Sequence, residues 1–131
     1  MNKKLRTALL LSTCLLFIQC SKNKDTAPAS PPVVYAAENE FNGSHDVAKV
    51  CRDNVSVSLS DGQFNTSANA VFVSGTDVYV AGYEFNNNNI LVAKVWKNDT
   101  STALTGGSIH AEASEVFVAG TDVYVVGYFP K

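Results

Sequence analysis

The chain has 131 residues, 46% hydrophobic, 17% charged and 10% aromatic, which excludes a disordered acidic tail, a collagen-like polymer and a low-complexity tract. Ten basic residues face twelve acidic ones, and three of the ten are Lys3, Lys4 and Arg6; without residues 1–19, seven basic stand against twelve acidic, a net charge near −5. No basic stripe remains to displace counterions from phosphates, which argues against a nucleic-acid partner, and three cysteines are too few for a disulfide framework.

The three N-terminal positive charges precede an apolar run from Thr7 to Ile18, the pattern of a secretory signal. Twelve helical residues reach only about 18 Å, short of the roughly 30 Å hydrocarbon core, so a permanent transmembrane helix is not expected. The run ends in Phe17-Ile18-Gln19-Cys20 and the polar Ser21-Lys22-Asn23-Lys24-Asp25. This resembles the lipobox of bacterial lipoproteins, with Gln19 standing where that family prefers a small residue. The resemblance implies that residues 1–19 are a signal peptide and that Cys20 becomes the lipid-bearing first residue. Two alternatives are weaker. Cleavage after Ala27-Pro28-Ala29 would fall eleven residues past the run, and Cys14 has only seven residues of the run before it. Several acyl chains on Cys20 would give stable membrane anchoring, and the polar, proline-containing stretch from residue 21 to 32 reads as a tether.

From Val33 to Gly62 the pattern predicts three strands. Ala70 to Ser74 follows, rich in β-branched and aromatic residues; Gly75-Thr76-Asp77 supplies a tight turn, and Val78 to Phe85 returns. The Asn86 to Asn89 tip leads into Ile90 to Lys97, Asn98-Asp99 turns the chain again, and Thr102 to Leu104 is a short outer strand. After a link from Thr105 to Glu112, Ala113 to Phe129 gives two more strands. No segment after Pro32 sustains helical apolar spacing.

A shift of 45 positions aligns Asp46–Tyr83 with Leu91–Tyr128 without a gap, and 19 of the 38 pairs are identical. The repeat is unmistakable. A degenerate third copy opens the domain, where Val34-Tyr35, Ala37 and Glu40-Phe41-Asn42 match Val78-Tyr79, Ala81 and Glu84-Phe85-Asn86 at a spacing of 44. Runs such as Val71-Phe72-Val73 place apolar groups on both faces of a strand, so both faces should be buried. Four-stranded antiparallel units of this length, covered on both faces, describe the blades of a β-propeller. The string VFVSGTDVYVAGYEFNNNNILVAKVWKN is similar to the repeats of secreted bacterial β-propeller lipoproteins, over roughly residues 33–129. Trp96 keeps that family's tryptophan, and Cys51 replaces it one copy earlier.

The expected fold is therefore all-β, an incomplete propeller of little more than two blades, with a small sandwich-like sheet pair as the alternative. The expected division is a signal peptide over 1–19, a lipidated cysteine and tether over 20–32, and the repeat domain over 33–131. Nine strands leave apolar faces uncovered. Three explanations stand in this order: the chain is a piece of a longer repeat protein, copies associate into a homo-oligomer if the chain is complete, or the strands collapse into the sheet pair.

Few residues suggest chemistry. His45 and His110 are not equivalent to each other in the repeat and have no metal-ligand spacing, so neither a metal nor a cofactor is expected. Asp77 and Asp122 recur in register, which favours a turn role, with each carboxylate bonding neighbouring amides, over acid–base catalysis. Cys51 is expected to pack as a small hydrophobe. Tyr79, Tyr83, Tyr124, Tyr128 and Trp96 could stack on sugars, but recurrence at fixed positions favours a core between sheets. Asn86, Asn87, Asn88 and Asn89 form the candidate contact loop. No catalytic residue is identified. The resemblance implies a lipid-anchored protein of the cell envelope, at the outer membrane or cell surface, acting as a non-catalytic binding or scaffold module with a protein or glycan ligand. The alternative is a fragment of a propeller enzyme acting on glycans.

Overall fold

Glycine, asparagine and aspartate in the left-handed backbone region set where the chain reverses. Gly75 and Gly120, each at φ 61°, open two-residue hairpin loops, the glycine-first pattern of a type II′ turn whose twist suits the strands it joins. Asp53 and Asn54, at φ 48° and 67°, follow the type I′ pattern, and Asn98 at φ 53° heads the corresponding turn one repeat later.

The structure, a computed structural model, describes residues 30–131, so the expected signal peptide, Cys20 and most of the tether lie outside the described residues. Nine strands follow: β1 (Tyr35–Phe41), β2 (Asp46–Arg52), β3 (Val55–Ser58), β4 (Thr66–Ser74), β5 (Asp77–Phe85), β6 (Leu91–Lys97), β7 (Thr100–Ala103), β8 (Glu112–Ala119) and β9 (Asp122–Tyr128). They make three antiparallel sheets, a first of order β1-β2-β3, a middle one of order β4-β5-β6-β7 and a last of order β8-β9. The fold is all-β. It has three sheets where the alternative expected two, and among the described residues they do not close into a ring.

Strand β4 begins four residues earlier than its apolar pattern suggests. A β-bulge between Ala68 and Ala70 leaves Asn69 without a strand partner and resets the alternation, and the same bulge recurs at Ser114 between Ala113 and Glu115. Each bulge brings backbone against a glycine. A Cβ on Gly82 would lie 1.8 Å from the Ser67 carbonyl oxygen, and one on Gly127 would lie 2.0 Å from that of Glu112, so no side chain fits at either position.

The middle sheet is covered on both faces. One face sends Ala68, Val71, Val78, Val80 and Trp96 against Ala37, Ala48 and Val50 of the first sheet. The other sends Phe72, Tyr79, Ala81, Ala93 and Val95 against Ala113, Val116, Val118 and Val125 of the last sheet and Ala111 just before it. Period-two alternation on β5 explains the division, with Val78 and Val80 facing one way and Tyr79 and Ala81 the other. Side-chain amides stitch the sheets together. Asn39 accepts the Ala68 N–H at 2.7 Å and donates to the Ala68 carbonyl at 3.3 Å, while Asn69, freed by the bulge, donates to the Ala113 carbonyl at 2.8 Å.

Candidate interaction surface

The Asn86–Asn89 loop is built by its first residue. Asn86 Oδ1 accepts the N–H groups of Asn88 and Ile90, each at 3.0 Å, and Nδ2 donates to the Gly107 carbonyl at 2.8 Å. Its side chain is therefore committed to holding the loop. Asn89 takes φ 58°, a conformation asparagine tolerates, and Asn87, Asn88 and Asn89 are exposed. One repeat earlier Asn42 does the same work, accepting from Ser44 and His45 and donating to the Gly62 carbonyl. Gly62 and Gly107 are at positive φ, and a Cβ on either would lie within 2.8 Å of the amide nitrogen of Asn42 or Asn86.

Beside these loops, between the first and middle sheets, a crevice of about 140 Å³ is lined by Asn39, Asp46, Asn65, Thr66, Tyr83 and Phe85, among others. Tyr83 and Phe85 meet edge to face with centroids 6.0 Å apart. The crevice is smaller than the 300 Å³ or so of ordinary ligand pockets. Two of its amides are already engaged, since Asn65 Oδ1 accepts the Asp46 N–H at 2.9 Å and Asn39 is spent on Ala68.

His110 is the histidine that the structure explains. Its Nδ1 accepts the Leu91 N–H at 3.0 Å, the bond that Asn65 makes to Asp46 exactly one repeat earlier. The role was open to sequence reasoning, because position 65 plus 45 is 110, but it required comparing histidine with asparagine. Among the described residues no group of three or more His, Cys, Asp or Glu side chains converges as a metal site, and no helix is long and apolar enough to cross a membrane.

The recurring glutamates are paired with lysines of the same sheet. Glu40 lies 2.7 Å from Lys49, and its counterpart Glu84 lies 2.5 Å from Lys94, with Thr66 Oγ1 at 3.4 Å. Asp77 departs from expectation. The tight turn consists of Gly75 and Thr76 alone, so Asp77 is already the first residue of β5, paired with Ser74. Its carboxylate meets Lys97 at 2.9 Å and accepts from Asn98 at 3.1 Å instead of bonding neighbouring amides. The Lys97 ammonium first, and the Asn98 amide second, hold the Asp77 carboxyl below its usual range, while Asp77 and then Tyr79 hold Lys97 above its own.

The aromatic residues divide by sheet. Trp96 is 1% exposed and Tyr79 is buried, whereas Tyr124 and Tyr128 of the last sheet are exposed. Cys51, at the position of Trp96 in the first sheet, is half-buried between the paired residues Ala36 and Ser56.

No family model, no curated protein and no solved structure matches this chain.

Proposed function

We propose that this chain is a lipid-anchored repeat protein of the cell envelope whose sheets are consecutive blades of an incomplete β-propeller, serving as a non-catalytic binding or scaffold module. Cys20, after a signal-like run, carries the anchor in this reading, and the ligand is a protein or glycan met by loops such as Asn87–Asn89. The observation that carries the non-catalytic part is the recurrence of Glu40–Lys49 and Glu84–Lys94 in the same register. Carboxylates that repeat with the scaffold and are neutralised by lysines of their own sheet serve the scaffold, and an acid–base pair would need groups set apart from the repeat.

Two measurements test the reading. Metabolic labelling with an alkyne fatty acid should mark the wild-type protein in the membrane fraction and not Cys20→Ser; equal labelling of both would refute the anchor site. A glycan array run beside a glycan hydrolysis screen addresses the rest. Retention without turnover supports the binding module, and turnover would shift the assignment to a glycan-active propeller enzyme.

A further inference from the structure

The repeat register sets up a comparison within the molecule. Phe72, Tyr79 and Ala81, the face of the middle sheet beneath the last sheet, become Phe117, Tyr124 and Val126 when moved by 45 positions. Tyr79 and Ala81 are 7% and 0% exposed; Tyr124 and Val126 are 54% and 62% exposed. Tyr79 and Ala81 thus recur, as Tyr124 and Val126, on a face that carries no sheet among the described residues, while Phe117 at its border meets Phe72 of the middle sheet edge to face with ring centroids 5.1 Å apart.

A groove tells the same story. Between the middle and last sheets an opening of about 270 Å³ includes Tyr79, Val95, Lys97 and Val123 in its lining. The corresponding opening between the first and middle sheets, about 280 Å³, includes their register counterparts Tyr35, Val50, Arg52 and Val78, and is further bounded by Asn98 and Asp99. Even the cation over the ring repeats, with Arg52 at 5.7 Å from the Tyr35 centroid and Lys97 at 5.5 Å from that of Tyr79. Asn98 and Asp99 form the turn between β6 and β7, and the last sheet, of order β8-β9, has no such turn among the described residues. One edge of β9 also has no partner strand among the described residues, where its counterpart β5 pairs with β6.

We propose that the open edge of β9, the groove beside it and the outer face of Tyr124 and Val126, bordered by Phe117, together form a docking surface for one further repeat of this same pattern. The incoming segment would pair a strand like β6 with β9, set an Asn-Asp turn over the groove, and lay a strand like β8, with its alanine and two inward valines, across the exposed aromatic face. The inference rests on the repeat register and requires neither the lipid anchor nor the blade reading. A second copy of this chain is a poor occupant, because its two surfaces of the required kind are already buried, β4 against the first sheet and β8 against the middle one. The outer face of the first sheet offers only Val34, Ala36 and Cys51 at the positions of Val78, Val80 and Trp96, with no counterpart of β4 in that sheet among the described residues.

The test compares the full chain with the full chain extended by a second copy of residues 87–131 after Lys131, which holds the register position of Asn86 and so keeps the phase. Tyrosine nitration read residue by residue and thermal unfolding read at Trp96 are the measurements. In the extended chain Tyr124 should become as unreactive as Tyr79 and the midpoint should rise, because each stacked repeat adds a neighbour interface. Val126→Asp should leave the parent chain's midpoint unchanged and cancel the rise in the extended one. The proposal is overturned if Tyr124 stays as reactive in the extended chain as in the parent. It is equally overturned if the parent sediments as a dimer with Tyr124 already protected, since a second copy would then hold the face.

Discussion

The middle and last sheets carry nearly the same hairpin and live in different environments. Val71-Phe72-Val73 and Val116-Phe117-Val118, like Gly75-Thr76-Asp77-Val78-Tyr79-Val80 and Gly120-Thr121-Asp122-Val123-Tyr124-Val125, are identical in type and in register. In the middle sheet both faces are covered; in the last, among the described residues, only the face of Val116 and Val118 is. Local sequence therefore specifies the hairpin, and the neighbouring sheet decides what each side chain contributes. A buried aromatic stabilises through the area it hides from water, and its exposed twin does so only slightly.

The largest test of that contrast uses Trp96 and its first-sheet counterpart Cys51. Trp96→Ala empties the centre of the core between the first and middle sheets and should cost about 3–5 kcal/mol in denaturant unfolding, whereas Cys51→Ala, at a half-buried site, should cost under about 1 kcal/mol. Similar losses at both sites would mean that the outer face of the first sheet is covered in solution.

Tyr79 and Tyr124 sharpen the comparison at one register position. Tyr79→Ala should cost about 3 kcal/mol and Tyr124→Ala under about 1 kcal/mol, measured by chemical unfolding of each variant. Equal penalties would contradict the exposure difference on which the contrast stands.

The strands were legible in the sequence because each hairpin announces itself twice, by β-branched and aromatic runs and by a turn residue suited to positive φ. Gly75, Gly120 and Asn98 are such residues. The start of β4 was not legible, because Ala68-Asn69-Ala70 is short-chained and the bulge breaks the alternation from which a strand is read. The links between sheets were hidden for another reason. Asn39 and Asn69 bond backbone atoms 29 and 44 residues away, and a backbone acceptor leaves no mark on residue type. At the candidate contact loop the sequence shows four asparagines, and only the geometry separates Asn86, which holds the loop, from the three exposed ones.

His110 offers a smaller test, this time of equivalence between repeats. Its Nδ1 does the work of the Asn65 amide oxygen, so His110→Asn should keep the bond to Leu91 while His110→Ala loses about 1 kcal/mol, as a lost neutral hydrogen bond typically does. Thermal unfolding of the two variants side by side decides it, and equal destabilisation would remove the histidine from that role.

The smallest expected effect concerns Asp77 and Lys97, both more than one-third exposed and so heavily screened by solvent. The Asp77 carboxyl is held below its usual range, so its contribution is complete at neutral pH and is lost as pH falls from the ordinary carboxylate range through its depressed value. Lys97 is held above its usual range, so its contribution is complete below the ordinary lysine value and is lost as pH rises through the raised one. The pair is therefore intact across the neutral range and fails at both ends. Asp77→Asn keeps a partner for Asn98 and discards only the charge, so its melting temperature should fall slightly below wild type at neutral pH, and the gap should close in acid and in high salt. Asp122→Asn is the matching control. Asp122 opens the same strand of the next repeat, but among the described residues its sheet has only two strands and no lysine is paired with it. A gap for Asp122→Asn that also closed in acid and high salt would show that the effect belongs to the turn and not to the neighbouring strand.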